Sequence, residues 1–146
     1  MKVRIFKNNC IYHFLYENIP MSNISNSPEF RFGYSTPLYV ETVSFYKNRL
    51  QLKELRSWDR GHCNKGTIFQ SPNGSGLIEI EEGTKAPVLQ GELYIEVEDV
   101  DRWYEKIMKE KIRIINLVSD TSYGHRSFKF ADPNNLIIGL FRYNPE

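Results

Sequence analysis

Few side chains in this sequence are natural nucleophiles or metal ligands, and their spacing narrows what they can do. Cys10 and Cys63 lie far apart without CxxC spacing, so they are expected to be free thiols in a reducing compartment rather than a bridge or a metal pair. The three histidines share no short spacing. His13 falls in the irregular N-terminal stretch and His62 beside Gly61 in a turn, both surface positions. His125 neighbours Arg126 in a strand-like run, where it either faces a ligand or sits at an edge. The chemistry therefore falls to carboxylates and aromatic rings. In the run 92–97, Leu93, Ile95 and Val97 form one face while Glu92, Tyr94 and Glu96 form the other; in 137–143, Ile137, Gly139, Phe141 and Tyr143 share a face. Carboxylates set among flat rings suit a small, partly aromatic or cationic molecule, with Tyr94, Phe141 and Trp58 as walls.

Those faces need elements to hold them. Residues 30–35 alternate aromatic with polar or small residues, as a strand with one buried face does. Thr36-Pro37 offers a capping hydroxyl and a proline at the first helical position, and Val43, Tyr46 and Leu50 recur at helical spacing through Arg49. Strand-like runs follow at 52–58, 67–70 and 77–81, punctuated by Gly61 and by Ser71-Pro72-Asn73-Gly74. The order then repeats. After the alternating run at 92–97, Asp99 caps a helix with Val100, Trp103, Tyr104 and Ile107 as its apolar stripe, and strands are expected at 112–118, 125–131 and 136–143. Asp132-Pro133-Asn134-Asn135 turns the last pair. The reading is α+β: two tandem βαβββ modules over residues 29–146, which form the domain. Residues 1–28 are an extension containing a β-hairpin around Lys7-Asn8-Asn9 and a polar connector; residues 1–20 are expected to be dispensable for folding.

Composition removes several function classes. A chain of 146 residues, 40% hydrophobic and 14% aromatic, supports one domain with a real core. With 19 Lys and Arg against 18 Asp and Glu, no long-range field draws it to nucleic acid or an anionic membrane. No apolar run reaches the ~18–20 residues of a membrane helix, and the N-terminus lacks a cleavable signal, so a cytoplasmic location is expected.

Four segments carry a family resemblance. Phe45-Tyr46-Lys47-Asn48-Arg49-Leu50-Gln51-Leu52 resembles an FYxxxLGL segment, Leu77-Ile78-Glu79-Ile80 a fourth strand, Ile95 to Asp101 a second strand-to-helix junction, and Tyr123-Gly124 through Asn135 a YG…DPDGN stretch. In this order and spacing they resemble the vicinal-oxygen-chelate superfamily of glyoxalases, bleomycin-resistance proteins and dioxygenases, over nearly all of residues 29–143. Two departures stand out: Thr36-Pro37-Leu38 replaces the usual acidic cap, and Asn135 replaces a glycine whose backbone asparagine can also adopt. Drug-sequestering members tend to be acidic, whereas this chain is nearly neutral, which argues against a resistance role.

The resemblance implies cupped mixed sheets with helices outside, and homodimers. It also places metal ligands on the first, fourth, fifth and eighth strands, which here are Arg31, Glu79, Glu92 and Gly139. Arginine is a permanent cation and glycine has no donor, so two carboxylates remain where three ligands are usual. The resemblance thus implies a metal-free cup without cofactor, in which Arg31 is expected to pair with Glu79 and Glu92. Three readings stay open. The first is a metal-independent small-molecule binding protein whose ligand contacts Arg31, Trp58, Glu79, Glu92, Tyr94, Gly139 and Phe141. The second is a lyase or isomerase using Glu79 or Glu92 as general base with Arg31 stabilising an enolate. The third is an interaction domain whose ion-paired cup is closed.

Overall fold

A computed structural model of the chain describes residues 29–144. The hairpin and connector expected within residues 1–28 lie outside the described residues.

Apolar residues at every second position decide the strands. In β1 (Arg31–Thr36), Tyr34 and Thr36 are buried while Arg31, Gly33 and Ser35 face the other way. The chain then enters α1 (Tyr39–Ser44), which continues into one π-helical turn, Phe45–Arg49. Thr36 serves the entry differently from expectation. Its hydroxyl belongs to the strand and accepts a hydrogen bond from Leu38 N at 3.0 Å, so Pro37 precedes the helix instead of opening it. Of the expected helical stripe Tyr46 and Leu50 are buried and Val43 is half-buried, with Phe45 buried beside them. Strands β2 (Glu54–Asp59), β3 (Lys65–Gln70) and β4 (Leu77–Glu82) complete the first module.

The second module repeats the order with β5 (Glu92–Glu96), α2 (Val100–Lys109), β6 (Ile114–Asp120), β7 (His125–Ala131) and β8 (Ile137–Tyr143). Asp99 caps α2, its side chain accepting from Arg102 N at 2.9 Å. Asn135 adopts the left-handed backbone its turn requires, with φ 65°.

Each module forms one four-stranded mixed sheet, ordered β1-β4-β3-β2 and β5-β8-β7-β6. The first and last strand of each module run parallel, which is what the intervening helix permits. One continuous core joins the modules: Tyr46, Phe69, Ile80 and Ile78 from the first meet Ile107, Phe128, Phe130 and Leu140 from the second. Each such side chain contributes about 1.5–3 kcal/mol on burial.

A buried polar cluster fastens the modules further. The Asp132 carboxyl, in the β7–β8 turn, accepts from the hydroxyl of Tyr34 and, at 3.1 Å, from that of Tyr46; its second oxygen accepts from Asn134 N and Leu136 N at 2.8 and 2.9 Å. Asn134 in turn donates to Thr42 Oγ1 at 2.8 Å. Burial, reinforced by the charge of Asp132, pushes the Tyr34 phenol well above its ordinary range, so both hydroxyls act as donors.

Cys63 corrects another expectation. It is half-buried in the turn between β2 and β3 and is disulfide-bonded rather than free. No helix among the described residues is long and apolar enough to cross a membrane.

Candidate functional site

The helices cover one face of each sheet and leave the other open. On the first sheet that open face carries Arg31 of β1, Trp58 of β2 and Glu79 and Glu81 of β4. Arg31 donates to Glu79 Oε2 at 2.7 Å and also holds Glu29. Trp58 lies across Gly66 of β3, where any Cβ would collide with the indole, and the Arg56 guanidinium sits 6.0 Å from the indole centroid. Glu81 is the carboxyl with the shifted environment: burial first, then the negative charge of Glu79, raises it above the ordinary glutamate range.

The second sheet's open face is built around Gly139. In register, Tyr94 of β5 and Lys129 of β7 flank this glycine on the central strand β8. With no side chain between them, the Tyr94 ring settles over Gly139, so that a Cβ there would stand 2.8 Å from two of its ring carbons. Lys129 then reaches across the gap, its Nζ 2.6 Å from Glu92 Oε2 and 5.3 Å from the Tyr94 centroid. The Tyr94 hydroxyl donates to the same Glu92 carboxylate. Hydrogen bonds from Lys129 and then Tyr94 hold Glu92 below the ordinary carboxylate range, and the same bond raises Lys129.

Aromatic rings continue along that face. Phe141 lies 6.4 Å from Tyr94 between centroids; His125 stacks on Phe141 at 5.0 Å and 21° and meets Tyr143 edge-on at 4.4 Å, with Tyr123 beyond it at 5.1 Å. The wall is open: Tyr94 is 51% and Tyr143 62% exposed. At its β5 edge a cavity of about 140 Å³ between the modules is lined by Phe30, Phe32, Tyr94, Phe141 and Glu96, among others.

The seven expected residues therefore fall into two sets. Arg31, Trp58 and Glu79 share the first sheet; Glu92, Tyr94, Gly139 and Phe141 share the second. The expected pairing of Arg31 with Glu92 is not formed, because the two stand on different sheets and Lys129, on Glu92's own sheet, is the nearer cation. Lys129, Tyr123 and Glu81 join the site without having been expected there, and His125 takes the ligand-facing one of its two expected positions. For two of them a signal was present: His125, Ser127 and Lys129 alternate with the buried Phe128 and Phe130, which assigns them to the open face. Lys106, in the last turns of α2, is partly buried and donates to the Leu50 carbonyl at 2.6 Å.

A divalent ion does not fit these residues. Of the four family positions, Arg31 is a cation holding Glu79, Glu92 is neutralised by Lys129, and the space at Gly139 is filled by the Tyr94 ring. Among the described residues no three His, Cys, Asp or Glu side chains group so as to hold an ion.

Comparison with known proteins agrees with this architecture. A family profile described as "Glyoxalase-like domain" matches residues 39–141. No curated protein matches the chain. Among solved structures, TioX from Micromonospora sp. ML1 superposes with TM-score 0.67 at 13% identity, covering 80% of this chain and 99% of its own. A glyoxalase/bleomycin resistance protein/dioxygenase from Alicyclobacillus acidocaldarius gives 0.61 at 16% identity, covering 80% and 91%. The fosfomycin resistance protein FosX from Listeria monocytogenes gives 0.59 at 19%, covering 82% and 94%. At such identities these likenesses speak for the fold alone, but the profile spans most of the described domain. The chain belongs to the glyoxalase-like domain family, within the vicinal-oxygen-chelate superfamily.

Proposed function

We propose that this chain binds a small organic molecule with a flat aromatic part, without a metal, against the Tyr94–Phe141–His125–Tyr143 wall of the second sheet. One observation carries the reading: at Gly139, a family ligand position, a tyrosine ring occupies the space, and further rings extend that surface into solvent. Ring faces left open to water bind planar partners through burial and offset or edge contacts. The Glu92–Lys129 pair beneath Tyr94 fixes its tilt. Native mass spectrometry of the purified protein, followed by saturation-transfer NMR with quinoline, indole and phenylacetate, tests the reading. Saturation transfer that is strong in the native protein and lost in Tyr94→Ala and Phe141→Ala is expected. Transfer undiminished in both variants would remove it.

A lyase or isomerase activity is the second reading, and Glu81 favours it over the carboxylates first considered. Glu92 is held down by Lys129 and Glu79 is committed to Arg31, whereas the raised Glu81 is closer to what a base near neutral pH needs. We also read the protein as a homodimer, since the edge strands β2 and β6 carry exposed Leu55 and Leu117 that association would cover. Sedimentation at one protomer mass over a wide concentration range would count against that.

A further inference from the structure

A second cavity, of about 910 Å³, lies where the end of β8 and the start of α2 meet the loops of the first module. Of the second sheet's aromatic wall only Tyr143 reaches it. Its ionisable lining balances: Arg102, Lys106 and Arg142 against Glu96, Glu98 and Asp99, with Trp103 and Tyr143 as flat apolar surface. Two of these charged groups have work elsewhere. Lys106 donates to the Leu50 carbonyl and lies over Trp103, 4.8 Å from its centroid. Asp99 caps α2 through Arg102 N, and the Arg102 side chain makes no hydrogen bond or ion pair among the described residues.

Arg142 stands apart. Its Nε is sealed from solvent and has no hydrogen-bond partner, and its guanidinium forms no ion pair among the described residues. The acid whose field it feels, Asp101, is already taken: Arg126 grips both Asp101 oxygens, at 2.7 to 3.1 Å. Buried donors are nearly always satisfied, and an arginine fork is complementary to a planar carboxylate that accepts from Nε and one Nη together. Arg142 lines the cavity, and its Nε has no hydrogen bond among the described residues that a turn of its terminal torsions toward the cavity would break.

We propose that this cavity is a binding site for a zwitterionic carboxylate of the amino-acid or short-peptide class, anchored by Arg142. The carboxylate takes the Arg142 fork; the ammonium lies toward Glu96 and Glu98, which make no hydrogen bond or ion pair among the described residues; the apolar part rests on Trp103 and Tyr143. The equal numbers of acidic and basic lining groups favour such a ligand over a dianionic phosphate, which the three carboxylates would repel.

The test uses three matched probes on the full chain: L-phenylalanine, phenethylamine, which lacks the carboxylate, and 3-phenylpropionate, which lacks the ammonium. NMR titration is expected to shift the Arg142 Nε–Hε resonance with L-phenylalanine, and each truncated probe is expected to bind at least tenfold more weakly. Arg142→Gln should abolish the L-phenylalanine response with an unchanged melting temperature, and Arg142→Lys, which keeps charge but loses the fork, should weaken it. An Arg142 Nε–Hε resonance that stays fixed up to 10 mM L-phenylalanine in the native protein overturns the proposal, whether or not the variants fold. Equal affinity for all three probes overturns it too. Neither result decides the aromatic-wall reading, which shares Tyr143 with this cavity but is tested through the Tyr94 and Phe141 variants.

Discussion

Gly139→Ala should change sign with its neighbour. Gly139 has ordinary strand backbone, absent from the positive-φ glycines, so alanine meets no conformational barrier and by itself stabilises a strand interior by about 0.5–1 kcal/mol. In the native protein, however, the new methyl would sit 2.8 Å from Tyr94 Cδ1 and Cε1, inside van der Waals contact. The ring must swing away and lose its bond to Glu92. One side of Tyr94 faces water, so the cost is at the low end of overpacking, about 1–2 kcal/mol, and Gly139→Ala is destabilising by about 1 kcal/mol overall. In a Tyr94→Ala background the obstruction is gone and the same substitution becomes stabilising. Urea unfolding of the four proteins in this double-mutant cycle should give a coupling near 1.5–2 kcal/mol. Equal effects of Gly139→Ala in both backgrounds would show that the ring does not rest on the glycine.

Tyr46→Phe removes one of the donors to the buried Asp132 carboxyl and should lower stability by about 2 kcal/mol in urea, while Tyr123→Phe, at an exposed ring, stays within about 0.5 kcal/mol. Because Glu81 is raised in the fold, its contribution is fully present below the unfolded glutamate pKa and is lost as pH rises through the folded value. Glu81→Gln should therefore raise the melting temperature at pH 7–8 and leave it unchanged near pH 4, and a gain at both would contradict the assignment. Glu92 has the opposite sign: its stabilisation is present above the unfolded pKa and lost as pH falls through the lowered one. Lys129→Met should flatten that acid limb, as read from melting temperature against pH. Elemental analysis should find no stoichiometric zinc, nickel, iron or manganese, with melting temperature unchanged by chelator; about one metal per chain would refute the misfit argued for the four ligand positions.

Much of the fold was legible because period-2 and period-3.6 patterns repeat in the same order twice. Strand β7 was read at its observed bounds, and α2 at its observed cap. Other ends drifted by at most two residues, as in β2 and β6, where bulges at Glu54/Arg56 and around Asn116 break the alternation that sets a boundary. The face of each candidate residue was also legible, since alternation fixes it. Pairing was not. Which cation Glu92 takes depends on the two sheets being separate and on Lys129 crossing a glycine, facts of tertiary register that no local pattern contains. The role of Gly139 was likewise invisible: the sequence marks it as a missing donor, while the structure uses it as a seat for an aromatic ring.

Whether a flat ligand meets the second sheet's aromatic wall is read from a chemical-shift map of the native protein titrated with quinoline. The largest changes are expected on the rings of Tyr94, Phe141 and His125 and on the Gly139 amide, with little change at Arg31 or Glu79. Shifts centred on Arg31, Trp58 and Glu79, with the Tyr94 and Phe141 rings silent, would contradict it.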